Sequence, residues 1–145
     1  MAISRDGRFL YAGSRPVLDL ERDVSVGRIG ISQISSVLIS PNDSLLYVSD
    51  PGNYGRLEPV PSGKLFYYRA NPVSFGGEID FVSSTPTGER RATDRMILAP
   101  DGKIIYISNW AGMLYVFNSS NNQVVGTIKL FANNMPLAIT TRRLP

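Results

Sequence analysis

Apolar residues in this chain fall in short, β-branched runs, each closed by a cluster of Gly, Pro, Asp, Asn or Ser. The stretch that opens at Asp94 shows the order most fully. An apolar run (Met96, Ile97, Leu98) leads into the turn Ala99-Pro100-Asp101-Gly102, and three β-rich segments follow at Lys103 to Ser108, Gly112 to Asn118 and Gln123 to Leu130. Such runs, bounded by turn residues, predict four antiparallel strands joined by tight turns. Asp-Gly and Asn-Asp supply the left-handed or side-chain-bonded backbone that a tight hairpin needs. No helix is expected beyond a short turn.

The same order recurs. Ile3-Ser4-Arg5-Asp6-Gly7-Arg8-Phe9-Leu10-Tyr11 aligns with Ile39-Ser40-Pro41-Asn42-Asp43-Ser44-Leu45-Leu46-Tyr47 and with Leu98-Ala99-Pro100-Asp101-Gly102-Lys103-Ile104-Ile105-Tyr106, and a decayed copy opens at Pro136. Repeated four-stranded units are the blades of a β-propeller. The fold class read from the pattern is therefore all-β, a partial β-propeller of three four-stranded antiparallel blades. The whole chain, 1–145, is taken as one partial propeller domain with repeats at about 4–39, 40–98 and 99–139, and residues 136–145 begin a further innermost strand. The small residues before the turns (Ser4, Ser40, Ala99, Thr140) are spaced by 36, 59 and 41 residues. The middle excess lies in Pro51 to Gly63, with three prolines and three glycines, and in Ser83 to Thr93. Both insertions are expected to open on one face, around the mouth of the central channel.

Tyr47-Val48-Ser49-Asp50 and Tyr106-Ile107-Ser108-Asn109 resemble the Tyr-Val-Thr-Asn signature of YVTN-type repeats, found in propellers related in shape to the lactonase-like group; Tyr11-Ala12-Gly13-Ser14 departs further. The resemblance implies the propeller fold. It implies no single chemistry, because that group holds binding and surface proteins as well as enzymes.

A closed propeller needs roughly four to eight blades, and three would leave apolar sheet faces in water. Two arrangements satisfy the rule: a fragment whose missing blades lie elsewhere, or two copies meeting head to tail in a six-bladed ring. Composition narrows the chemistry. The chain has no histidine and no cysteine, which removes Ser-His-Asp and Cys-His catalysis, thiolate or imidazole zinc sites and disulfides. Fifteen basic and twelve acidic residues are interspersed, for a net charge of +3, not the concentrated basic stripe of a nucleic-acid binder. No apolar run is long enough to span a bilayer as a helix.

Candidate residues gather at the expected channel mouth. Asp94 and Arg95 open an innermost strand, where the guanidinium suits a carboxylate or phosphate; a local ion pair is the plainer reading. Tyr54, Arg56, Arg90, Arg91 and Trp110 fall in or beside the insertions, and aromatics with Arg nearby form binding anchors. Asp50 and Asn109 end their strands at matching positions; the lactonase-like resemblance implies oxygen ligands for a divalent cation such as Ca²⁺ there, whereas turn chemistry has them bonding their own backbone. Gly76-Gly77 reads as backbone freedom before a strand. The expected function is non-catalytic recognition of a protein or glycan, with no cofactor and with a homo-oligomer or the missing blades as further partners. The alternatives are part of a lactonase-like hydrolase with a divalent cation at the channel, and a purely structural module.

Overall fold

The structure, a computed structural model, describes residues 1–13, 16–31, 34–50, 64–80, 93–109 and 112–130. These residues form three antiparallel sheets of four strands, each built from strands consecutive in the chain. Sheet 1 holds β1 (Ala2–Ile3), β2 (Phe9–Tyr11), β3 (Pro16–Asp19) and β4 (Val24–Arg28). Sheet 2 holds β5 (Ser36–Ile39), β6 (Leu45–Ser49), β7 (Lys64–Arg69) and β8 (Ser74–Asp80), and sheet 3 holds β9 (Thr93–Leu98), β10 (Ile104–Asn109), β11 (Met113–Asn118) and β12 (Gln123–Lys129). The first strands lie nearest one another, β1 beside β5 and β5 beside β9, so the sheets fan outward from a common inner side. The all-β, partial-propeller architecture expected from the pattern is the observed one.

Two details differ from expectation. The innermost strand of sheet 3 begins at Thr93, before the apolar run, because Thr93 pairs with Asn109 across an irregularity that lies between Ile107 and Asn109. Gly76 and Gly77 lie inside β8 instead of ahead of it. There the Tyr67 ring covers the strand, and a Cβ at either glycine would come within 2.6 Å of Tyr67 atoms. The outer hairpin of every sheet shifts register at the same place, between Val17 and Leu18, Tyr67 and Tyr68, and Val116 and Phe117. The residue that opens each bulge is matched by a glycine, Gly27, Gly77 and Gly126. Bulges add twist to an edge strand.

Two cores separate the three sheets. Tyr11, Val17 and Ile29 from sheet 1 and its exit meet Val37, Leu46, Val48 and Tyr68 from sheet 2. Tyr47 and Leu65 from sheet 2 meet Ile105, Ile107, Tyr115 and Phe117 from sheet 3. Successive residues of a strand point to opposite faces. Hence β6, with Leu46 and Val48 in one core and Tyr47 in the other, is apolar from Leu45 to Val48. Each boundary also carries a polar bolt: the Tyr11 hydroxyl donates to the Ala70 carbonyl and the Tyr47 hydroxyl to the Ser119 carbonyl, both at 3.4 Å. Burial pushes both phenols above their ordinary range, so they stay neutral donors.

The tight turns repeat one hydrogen-bond pattern. Asp6, Asn42 and Asp101 each accept from the backbone N–H two residues on, at 3.0, 3.2 and 2.9 Å. The next residue, Gly7, Asp43 or Gly102, has positive φ in every turn. Neighbouring turns touch: the Arg5 N–H donates to Asp43 Oδ2 at 2.9 Å, and Gly102 abuts the Pro41 ring. Gly7 has open space where a Cβ would stand, whereas at Gly102 that atom would collide with Pro41 Cγ. Gly7→Ala should therefore lose about 1 kcal/mol, the backbone cost of a left-handed alanine. Gly102→Ala should lose roughly a further 1–3 kcal/mol from overpacking, and urea unfolding of the two variants compares them directly.

Candidate binding surfaces

The end of the sheets away from the tight turns is assembled by backbone and hydroxyl groups. Asp50 N–H donates to the Lys64 carbonyl at 3.2 Å, Lys64 pairs with Asp80, and Thr93 Oγ1 donates to the Asp50 carbonyl at 3.0 Å. Ser35 Oγ lies 2.7 Å from Ser49 Oγ and donates to the Thr93 carbonyl at 2.8 Å. Ser49 and Thr93 are fully buried. This hydroxyl chain pins the inner strands of sheets 2 and 3 together. It also gathers the points of attachment of segments 51–63 and 81–92. Asn109, which pairs with Thr93, anchors segment 110–111 at the same end.

Tyr54, Arg56, Arg90, Arg91 and Trp110 lie outside the described residues, but all belong to segments attached at this one end. Asp94 sits in β9, its side chain outside the described set, and Arg95 follows it, exposed. Asn109 is buried, and both ends of its amide are engaged: Oδ1 accepts from the Met113 N–H at 2.8 Å and Nδ2 donates to the Tyr115 hydroxyl at 3.2 Å. Asp50 uses its backbone to join β6 to β7 and to Thr93. Among the described residues no three His, Cys, Asp or Glu side chains gather as they would around a cation.

A second surface was not foreseen. Between the outer strands of sheets 1 and 2 lies an open groove of about 580 Å³, lined by Arg28, Ile31, Phe66, Tyr68, Val73 and Phe75. Phe75 packs edge-on against Tyr68, with ring centroids 5.6 Å apart, yet remains 61% exposed. Burial raises the Tyr68 phenol, and a backbone hydrogen bond with Gly30 partly offsets the rise. The volume falls within the roughly 300–1,000 Å³ of ligand sites. The sequence carried a faint sign of it in Phe66-Tyr67-Tyr68, three aromatics in a strand that can bury only alternate residues on each side.

At the tight-turn end, charge serves structure. Arg8 Nη2 and Nε donate to Asp19 Oδ2 at 2.8 and 3.1 Å, and Glu21 lies 3.3 Å from Nε. The Asp19 carboxylate, 1% exposed, also accepts from the N–H groups of Glu21 and Arg22. The Arg8 hydrogen bond comes first among the causes that hold Asp19 below the usual carboxylate range, with those backbone donors adding to it.

No protein-family model matches this sequence, and neither does any curated protein. Solved structures do match. Two of them, described as the structure of U3-55K and as the crystal structure of RRP9 WD40 repeats, each superpose with a TM-score of 0.57 at 13% identity. In both cases the match covers 73% of this chain and 29% of the other. The chain thus spans under a third of the length of these propellers. The likeness carries the fold.

Because Asp19 has a lowered carboxyl pKa in the folded state, its contribution is present above the unfolded value and lost as pH falls through the folded one. The thermal midpoint should therefore fall as pH drops below about 4. Asp19→Asn should start from a lower midpoint at neutral pH and lose less on acidification, as scanning calorimetry between neutral and acidic buffer would record.

Proposed function

We propose that this chain is a non-catalytic protein-interaction module of propeller type, with YVTN-like repeats, that takes its partner at the end carrying segments 51–63, 81–92 and 110–111. The observation that carries the reading is the convergence of their attachment points: Asp50, Lys64, Asp80, Thr93 and Asn109 are joined by backbone pairing and one buried hydroxyl chain. The opposite end carries short turns in which Asp6, Asn42 and Asp101 are spent on their own backbone. Variable segments on a rigid sheet scaffold are the usual site of recognition.

In this reading Tyr54 and Trp110 are the anchors. Aromatic side chains offer large contact area at small entropic cost, and they dominate binding energy at interfaces. Arg56, Arg90, Arg91 and Arg95, with Asp94 beside them, supply forked donors for carboxylates on a partner. A protein suits this spread of apolar and cationic groups.

The immobilised full chain, used to capture proteins from an extract of the source cells, tests the assignment. The wild type should retain a defined protein set that Tyr54→Ala and Trp110→Ala each weaken about tenfold or more, with far-ultraviolet circular dichroism unchanged. Equal retention by wild type and both variants would move the site away from this end. Binding seen only on a glycan array would replace the protein by a sugar.

A further inference from the structure

The outer rim between sheets 1 and 2 differs from the rest of the stack. Directly beyond each outer bulge, one residue of the third strand pairs with one of the fourth: Leu18 with Ser25, Tyr68 with Phe75 and Phe117 with Val124. Of the three fourth strands, β8 alone has an aromatic there. Val124, its equivalent in sheet 3, is half-buried and packs against the core between sheets 2 and 3. Phe75 leans on two rings, edge-on to Tyr68 at 5.6 Å and tilted against Phe66 at 6.5 Å, and is still 61% exposed. With Ile31 and Val73 these rings make a continuous apolar bed that water reaches. An apolar patch of this kind with a polar rim marks an interaction site.

The bed is fixed before anything enters it. The Gly30 N–H donates to the Tyr68 hydroxyl, and Gly27 stands so close to Val73 that a Cβ on it would lie 3.3 Å from the valine Cβ. A ligand is thereby spared the cost of ordering its own site. The charge at the groove is one-sided. Among the described residues Arg28 is the only charged one that lines it, and Arg28 is exposed and makes no ion pair there. Glu78, which pairs with Phe66 across sheet 2, has its carboxylate taken by Lys64 Nζ at 2.8 Å. Ser74 adds one exposed hydroxyl to the lining.

We propose that this groove binds a short extended peptide of a partner protein, one that carries a large apolar side chain beside a carboxylate. The apolar side chain lies on Phe66, Tyr68 and Phe75, and the carboxylate pairs with Arg28. A sugar fits less well, because its hydroxyls need several directional partners and the lining has only Arg28 and Ser74 besides the Tyr68 hydroxyl that Gly30 engages. A small molecule fits less well too. Small ligands are held where most of their surface is buried, and a wall as exposed as Phe75 leaves one side of the groove in water. A peptide presses only its side chains into such a groove and keeps its backbone wet. This site does not depend on what the end carrying segment 51–63 binds.

Fluorescence polarisation of two labelled pools of short peptides, titrated with the full chain, tests the site. Both pools have Phe or Leu at the centre; one has Asp or Glu on either side of it, the other Lys. The wild type should bind the acidic pool about tenfold or more tightly than the basic one. Phe75→Ala should weaken that binding about tenfold, and Arg28→Glu should reverse the preference between the pools. Tyr54→Ala and Trp110→Ala should bind the acidic pool as the wild type does. Both groove residues are exposed, so circular dichroism should be unchanged; if one variant unfolds, the other carries the test. No binding of either pool, equal binding of both, a well-folded Phe75→Ala of undiminished affinity, or an Arg28→Glu that still prefers the acidic pool would overturn the proposal. So would loss of binding in the Tyr54 or Trp110 variant, or 3-phenylpropionate binding as tightly as the acidic pool, which would make the ligand a small acid.

Discussion

The constraint on which the rest of the structure depends is that a central strand here has no solvent side. Leu46 and Val48 enter one core while Tyr47 enters the other, so sheet 2 is stable only as the middle layer of a stack. A sheet with one wet face would alternate apolar and polar residues. Leu45-Leu46-Tyr47-Val48 does not. The radial fan, the nearness of β1, β5 and β9, and the apolar faces on sheets 1 and 3 all follow from repeating one two-sided unit.

Within that stack, polar groups set the register that apolar contact leaves loose. A hydrophobic face tolerates sliding. A phenol that must reach one carbonyl does not, and Tyr11 and Tyr47 do this at the two boundaries. On the inner side hydroxyls serve the same end: Ser35, held by Ser49, donates across to the Thr93 carbonyl, and Thr93 donates back to the Asp50 carbonyl. The result is a rigid inner edge from which the longer connections leave.

Much of this was legible in the sequence because it was written three times. The turns at Asp6, Asn42 and Asp101, the second strands ending in Tyr-Val-Ser or Tyr-Ile-Ser, and the extra length between β6 and β7 all stood out by comparison of the repeats. What escaped had no distinctive local chemistry. Gly76 and Gly77 looked like slack in a connection, and only the Tyr67 ring lying over β8 explains them. The shared glycines of the outer bulges, Gly27, Gly77 and Gly126, could have been aligned, but the flanking residues differ in all three hairpins. The groove beside Phe75 arises between two sheets, from residues far apart in the chain. No window along one strand could display it.

The contact between neighbouring turns bears on how such a chain can change over time. Arg5 keeps its N–H, and the residue facing it from the next sheet is Asp43, an acceptor; Pro41 has no N–H, and the residue facing it is Gly102. Each turn is thus matched to its neighbour and not to itself. A unit copied or transposed as a block would arrive beside the wrong companion, leaving a carboxylate against a proline ring or an amide with no acceptor. Drift at these positions must proceed in pairs that straddle two units, so the three copies have become individuals with a fixed order.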